Sequence, residues 1–170
     1  MVRFVQLRSL ASIALQLAIL CVLIAATLFV RLPQVSGPSM APHISSGEFV
    51  IINTLAYRFG KPSRGDIVAF RHDSVTPELY IKRVVGLPGD RIRIDHGTVY
   101  LNGARLEEPY VQFRDDRSLP EVTVPAGSVY VLGDNRAVSE DSRAFGPVPD
   151  AELMGKAVAG VWPLGSIGAL

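Results

Sequence analysis

Cysteine and histidine are scarce in this chain of 170 residues, and it contains no block of like charge. The one cysteine, Cys21, excludes a disulfide within the chain, and three scattered histidines without a Cys/His cluster offer little for a zinc site. Basic and acidic residues nearly cancel, at 17 against 16, so a nucleic-acid-binding surface is not indicated. We therefore expect no metal, no other cofactor and no nucleic-acid partner.

Lysine is scarce as well. Of the 17 basic residues only Lys61, Lys82 and Lys156 are lysine, and the other 14 are arginine. Arginine keeps its proton in proteins, whereas a lysine can lose its proton when it is buried. Lys82 lies inside an apolar run, and this makes it a candidate for chemistry that arginine cannot perform.

Near the N-terminus, 22 consecutive residues carry no charge, from Ser9 to Val30. As a helix they would be about 33 Å long, enough to cross a hydrocarbon core of about 30 Å. We expect a transmembrane anchor at residues 9–30, a short cytoplasmic N-terminus at 1–8 and an extracytoplasmic domain at 31–170, an orientation that Arg3 and Arg8 favour.

Two other interpretations of the apolar stretch fit it less well. A cleavable signal peptide would have an apolar core of about 7–15 residues, which is shorter than this one. A wholly buried helix of a soluble protein would also be apolar all round, but Leu, Ile, Val and Ala on every face favour contact with lipid.

The remainder of the chain predicts strands, because no long helical period follows Leu32. Short apolar runs separated by Gly and Pro turns indicate an all-β domain, mainly antiparallel. Asn102-Gly103 is a hairpin signal, and the polar residues 113–120 are predicted to form a surface excursion. The predicted strands are 49–52, 67–70, 79–86, 91–94, 98–101, 122–124, 129–132 and 157–162.

Ser39 is a candidate nucleophile, a few residues beyond the predicted anchor, in the stretch Ser36-Gly37-Pro38-Ser39-Met40-Ala41-Pro42. Glycine and proline favour a turn here, and Pro42 stops a helix or central strand from running through. A serine in a turn is most often structural, so the significance of Ser39 depends on the base that accompanies it.

Lys82 could be that base. On an edge strand it would simply face solvent. If it is buried, a pKa lowered from about 10.4 to about 8 would leave about one amine in ten neutral at pH 7, and a neutral amine could take the Ser39 proton. A Ser-His-Asp triad is less well supported, since His43, His72 and His96 are explained as surface residues and Ser39 is not in a Gly-x-Ser-x-Gly turn.

Residues 133–147 are dense in hydrogen-bonding groups and lie between two predicted strands. Ion pairs among Asp134, Arg136, Asp141 and Arg143 would make a rigid loop. A rigid polar layer is also what a buried amine needs to keep its orientation.

Four motifs follow one another along the chain: Ser39-Met40-Ala41-Pro42, Arg64-Gly65-Asp66-Ile67-Val68, Tyr80 to Asp90, and Gly133 to Pro147. Together, over about residues 37–162, they resemble the type I signal peptidases, or leader peptidases, which are membrane-anchored Ser/Lys serine endopeptidases. The resemblance implies a signal-peptidase-like β domain with one transmembrane helix in the cytoplasmic (inner) membrane. It further implies cleavage of N-terminal signal peptides from exported preproteins.

The resemblance also implies roles for individual residues. Ser39 would be the nucleophile and Lys82 the general base, with the supporting loop and the pocket walls coming from other motif positions. Gly37 stands where some members have a serine whose hydroxyl donates to the oxyanion, so that donor is missing here. In the loop, Ser139 would hydrogen-bond the lysine amine, Asp141 would pair with Arg143, and Asp134 would support the loop; the candidate walls are Val35, Met40 and Ile81.

The implied substrate is a preprotein with small residues at positions −1 and −3 before the cut, bound as an added strand. Three alternatives remain open. Two lie in the same family: a mitochondrial inner-membrane peptidase and a specialised peptidase for pilins or conjugation proteins. The third is an inactive anchored β module that binds partners through the same groove.

Overall fold

The computed structural model describes residues 2–72, 78–162 and 168–169. Met1 and Leu170, the outer limits of the predicted domains, therefore lie outside the described residues. Helix α1, Val2–Phe29, begins earlier than the predicted anchor and ends one residue before its predicted end. Its segment Leu10–Phe29 has a mean hydropathy of 2.5 and no part buried inside the protein, so it is long and apolar enough to cross a membrane. The interpretation as a buried soluble helix is not supported.

The rest of the described chain is mostly strand, which confirms the predicted all-β class. Two short helices, α2 (Ala56–Phe59) and α3 (Ser142–Phe145), and a 3-10 turn at Asp150–Glu152 were not predicted. The strands are β1 Val30–Arg31, β2 Phe49–Asn53, β3 Ile67–Phe70, β4 Tyr80–Gly86, β5 Arg91–Asp95, β6 Thr98–Leu101, β7 Ala104–Arg105, β8 Leu119–Thr123, β9 Ser128–Leu132, β10 Val148–Pro149, β11 Leu153–Trp162 and β12 Gly168–Ala169.

Two antiparallel sheets are formed. The larger has the order β1-β2-β11-β3-β4-β9-β10, with β12 beside β11. The smaller has the order β7-β6-β5-β8 and comes from the chain between β4 and β9. The ladders between named strands are antiparallel, and a parallel bridge joins Phe113 to Asn135.

The predicted surface excursion at residues 113–120 is wrong at its C-terminal end, where β8 begins at Leu119. Leu119 pairs with Ile94 and packs on the apolar cluster of the small sheet. Pro120 is accommodated because β8 is an edge strand, where proline removes no required ladder bond.

One of the three apolar clusters determines where the site lies. Met40 and Ile81 are both buried in it, although 41 positions separate them in sequence. Their chain neighbours Ser39 and Lys82 are consequently held close together. The cluster also contains Val35, Ile44, Val50, Ile52, Ile67, Ala69 and Ala157.

We predict that Gly155→Ala destabilises the large sheet. A Cβ at Gly155 would lie 2.4 Å from the carbonyl oxygen of Asn53 and 2.9 Å from a methyl carbon of Ile52. Overpacking of this kind lowers the free energy of unfolding by about 1–3 kcal/mol. Chemical denaturation of the detergent-solubilised protein measures it, with Gly168→Ala as the control because a Cβ there meets nothing within 4 Å. Equal unfolding midpoints for the two variants would contradict the packing described.

Candidate active site

Ser39 lies in a turn that is held by backbone hydrogen bonds on its N-terminal side and by a buried side chain on its C-terminal side. Before it, Val35 N donates to Glu48 O at 2.7 Å and Gly47 N donates to Val35 O at 2.8 Å. Gly37 has a φ of 87°, in the left-handed region that favours glycine. After it, the side chain of Met40 is fully buried. The hydroxyl of Ser39 is therefore presented from a fixed backbone at a half-buried position.

Lys82 lies on β4 inside the large sheet and is 4% exposed, so the interpretation as a solvent-facing charge is wrong. Strand β3 pairs with β4 along residues 80–83, whereas the described pairing of β4 with β9 begins at Arg83. The Lys82 amine donates a hydrogen bond to Ser39 Oγ at an Nζ–Oγ distance of 2.8 Å. This contact joins the two candidate residues across 43 positions of sequence.

The amine of Lys82 is easier to deprotonate than an ordinary lysine. Burial is the largest cause, and it lowers the pKa of Lys82 to about 8. The negative charges of Asp141 and Glu140 raise this pKa, and the positive charge of Arg143 lowers it. An appreciable fraction of the protein therefore has a neutral amine beside Ser39 at neutral or mildly alkaline pH.

Asp141 organises the polar loop at residues 133–143. Its carboxylate accepts hydrogen bonds from Gly133 N at 3.0 Å, and from Arg143 N at 3.2 Å, Nε at 2.8 Å and Nη2 at 2.8 Å. Burial raises the pKa of Asp141, but the hydrogen bonds and charge of Arg143 outweigh burial and hold it below its ordinary value. The expected pair of Asp141 and Arg143 is thus present.

Asp134 is fully buried and pairs with Arg83, the neighbour of Lys82 on β4. The guanidinium donates through Nε at 2.8 Å and through Nη2 at 2.6 Å, a bidentate contact. Asp134 therefore connects the loop to strand β4, and sequence reasoning did not identify Arg83 as its partner.

The predicted hydrogen bond between Ser139 and the lysine amine is not formed. Ser139 Oγ is buried and has no hydrogen-bond partner among the described residues. Ser139 is instead packed against Gly133, where an added Cβ would lie 2.2 Å from the Ser139 oxygen.

A groove of about 470 Å³ opens beside Ser39 and Lys82. The three predicted wall residues, Val35, Met40 and Ile81, all line it. Sequence reasoning did not identify its remaining lining, which comes from the turn before Ser39, from the start of β4 and from the loop: Pro33, Gln34, Ser36, Gly37, Pro38, Glu78, Leu79, Tyr80, Val138 and Glu140.

The histidines do not supply a base for Ser39. Nδ1 of His43 lies 3.5 Å from a carboxylate oxygen of Asp134. His72 and His96 contact Glu152 and Asp116 at 2.9 and 3.0 Å, respectively. Within the described residues, no group of three or more Cys, His, Asp or Glu side chains is placed to hold a metal ion.

The second motif supports the fold near the site. Arg64 donates to the carbonyl oxygen of Val85 and to Asp90 Oδ2, the latter at 2.9 Å. Asp66 accepts a hydrogen bond from Lys156 at 2.6 Å. These contacts connect the turn before β3 to the end of β4 and to β11.

A half-buried serine hydroxyl, a buried amine of lowered pKa and an open groove are what a serine-dependent peptidase needs. The sequence matches the family described as signal peptidase, peptidase S26, over residues 7–162. The chain therefore belongs to the signal peptidase family, which confirms the predicted family and the predicted serine peptidase activity.

Three named relatives, at 34–41% identity, agree with this assignment. The chain is 41% identical to signal peptidase I of Bacillus caldolyticus, over 76% of this chain and 78% of that protein. It is 38% identical to signal peptidase I of Leptolyngbya laminosa, over 80% and 70%. It is 34% identical to signal peptidase IB of Staphylococcus aureus, over 76% of each chain. A crystal structure of a signal peptidase I from Enterococcus faecalis V583 has a TM-score of 0.49 at 35% identity, and covers 56% of this chain and 96% of that one.

We predict that Lys82→Met raises the free energy of unfolding at pH 7 by at most about 3 kcal/mol, because it removes a charge that folding buries. The lysine keeps its proton up to about pH 10.5 when unfolded and to about pH 8 when folded. The unfavourable contribution of Lys82 to the free energy of unfolding is therefore fully present below pH 8, and it disappears as the pH rises towards 10.5. Denaturation of wild type and variant across this range measures the difference, with the exposed Lys61→Met as the control. If the stability gained in Lys82→Met does not shrink as the pH rises, the explanation by burial of the Lys82 charge is contradicted.

Proposed function

We propose that this protein is a membrane-bound serine endopeptidase that releases signal peptides from preproteins, with Ser39 as nucleophile and Lys82 as general base. The observation that carries the proposal is the 2.8 Å contact between the buried Lys82 amine and Ser39 Oγ, at the edge of an open groove. The relatives named above are signal peptidases, which supports preproteins as the substrate class.

In the first half of the reaction, the neutral amine of Lys82 takes the proton of Ser39 as Oγ attacks the scissile carbonyl carbon. The protonated amine then gives this proton to the leaving nitrogen, and the new N-terminus departs. In the second half the same amine deprotonates a water that attacks the acyl carbon. The bond between that carbon and Oγ breaks as the amine returns the proton to Oγ, and the signal peptide leaves with a new C-terminal carboxylate, so Ser39 and Lys82 are regenerated. The backbone N–H of Ser39 is the proposed oxyanion donor, and Gly37 supplies no second donor from a side chain.

The substrate is proposed to bind as an extended strand along residues 79–82. Leu79 and Ile81 line the open groove beside Ser39, which supports an extended substrate along the start of β4. Val35, Met40 and Ile81 line the groove and are themselves buried, so they limit its depth. Limited depth accounts for a preference for small side chains, such as alanine, at positions −1 and −3 of the preprotein.

We assign residues 9–30 as the membrane anchor, residues 1–8 as the cytoplasmic end, and residues 31–170 as the catalytic domain on the extracytoplasmic side of the cytoplasmic membrane. Exposed apolar residues along α1 support contact with lipid. Arg3 and Arg8 support the orientation. An anchor that ends shortly before Ser39 confines enzyme and membrane-bound substrate to one surface, which raises their effective concentration.

The roles of Ser39 and Lys82 are tested with purified full-length protein and a preprotein that has Ala-x-Ala before its cleavage site. Wild type should cut after the second alanine, and Ser39→Ala should not cut. Lys82→Arg should lower kcat by about 10²–10⁴-fold, because guanidinium does not give up its proton. N-terminal mapping identifies the cut, and Lys61→Arg is the control. Turnover close to wild type in Lys82→Arg would rule out the lysine as base, and an uncut substrate with wild type would contradict the proposed function.

The depth of the groove is tested with Ile81→Ala. Removing this wall should raise the kcat/KM for a preprotein with valine at −1 or −3, relative to the alanine substrate, by about tenfold or more. Ile94→Ala is the matched control, since Ile94 is also buried but lies in the small sheet. If both variants keep the wild-type ratio of kcat/KM for the valine and alanine substrates, Ile81 does not limit the size of the side chain that the groove accepts.

A further inference from the structure

The chain between β7 and β8, residues 106–118, contacts the polar loop that adjoins Lys82; we call it the bracing segment. Phe113 O accepts a hydrogen bond from Arg136 N at 2.8 Å. Asp115 pairs with Arg143 at 2.7 Å, and the Arg143 side chain is 1% exposed. The bracing segment lies in the part of the chain that forms the small sheet. Its polar groups nevertheless contact the polar loop at residues 133–143, which follows strand β9 of the large sheet.

The most deeply buried of these contacts is the ion pair between Glu108 and Arg136, which are 5% and 2% exposed. Arg136 donates through Nη1 and Nη2 to the two carboxylate oxygens at 3.2 and 2.5 Å. Its Nε donates to Gly133 O at 2.9 Å. The planar guanidinium thus joins the bracing segment and the start of the loop, which a lysine could not do with the same geometry.

The start of the loop is in direct contact with the nucleophile's backbone. Asn135 N donates to Ser39 O at 3.0 Å. A Cβ added at Gly133 would lie 2.6 Å from the same Ser39 oxygen, so the two backbones are as close as glycine allows. A shift of Gly133 or Asn135 is therefore transmitted to Ser39.

A second route leads from Glu108 to the neighbour of the lysine. Tyr110 donates to Glu108 Oε1 at 3.2 Å, and its ring lies 4.4 Å from the guanidinium carbon of Arg83. Arg83 follows Lys82 on β4 and pairs with Asp134. Glu108 is therefore connected to the backbone of Ser39 through Arg136, and to the neighbour of Lys82 through Tyr110.

We propose that Glu108 and Arg136 are positioning residues of the peptidase, and that the bracing segment holds the loop at the distance from Ser39 that turnover requires. The inference rests on the proposed roles of Ser39 and Lys82. A buried ion pair is weak evidence for stability, because apolar residues of similar volume often replace one without loss. What apolar residues cannot replace is the bond to Gly133 O.

The test separates positioning from stability with two variants of the full-length protein. The double variant Glu108→Leu with Arg136→Met removes both charges together and leaves an apolar contact. Arg136→Lys keeps the charge opposite Glu108 but not the fork that also reaches Gly133 O. Glu121→Gln is the matched control, since it breaks the exposed ion pair with Arg91 in the small sheet.

In either folded variant, kcat should fall by about 10–100-fold while KM stays within about twofold, as expected when a catalytic geometry shifts by about 1 Å. In the wild type, kcat/KM should rise as Lys82 loses its proton at about pH 8. In the variants this rise should move to higher pH, because a loosened loop leaves the amine less buried and burial outweighs the charges of Asp141, Glu140 and Arg143 in setting the pKa of Lys82. The Asn135 amide should exchange with deuterium faster than in wild type and in Glu121→Gln.

Folded variants with wild-type kcat and wild-type Asn135 exchange would overturn the inference. So would a loss of activity that follows only the fraction unfolded, with an unchanged pH profile. If wild type itself fails to cut, the proposed function fails, and the exchange measurement still decides whether the bracing segment holds the loop.

Discussion

The burial of one amine governs the arrangement of the site. Lys82 is removed from water beside Ser39, and this lowers its pKa to about 8. A nearby unpaired carboxylate would raise the pKa again, so the buried carboxylates of the loop must be neutralised. Asp141 is paired with Arg143, and Asp134 with Arg83. Arginine suits these positions, because it keeps its charge and binds a carboxylate with two parallel hydrogen bonds. The scarcity of lysine and the abundance of arginine are consistent with this division of roles.

The two sheets contribute differently to the site. The large sheet brings Ser39 and Lys82 together by burying their neighbours Met40 and Ile81 in one apolar cluster. The chain that forms the small sheet supplies Glu108 and the other groups of the bracing segment, which contact the loop from the opposite side. Apolar packing thus determines the distance between the two reactive groups, and polar contacts hold the loop against them.

Much of this arrangement could be predicted from local patterns. The strand predicted at residues 67–70 is β3 as observed, and the uncharged stretch forms a helix. Ser39, Lys82 and the pair Asp141 with Arg143 stand out because their motifs are short and contiguous. The partner of Arg136 could not be predicted, because Glu108 is an ordinary acidic residue whose burial depends on long-range folding. The absence of the hydrogen bond expected at Ser139 could not be predicted either, because a motif indicates which groups are near but not which of them form a bond.

The scarcity of lysine makes the central claim directly measurable. With lysine labelled with ¹³C at Cε, only Lys61, Lys82 and Lys156 would contribute side-chain signals to an NMR titration. The signal that disappears in Lys82→Met is assigned to Lys82. The account predicts that this signal titrates near pH 8 in the wild-type protein. Titration near the ordinary lysine value of 10.5 would contradict it, since a fully charged amine at neutral pH could not take the proton of Ser39.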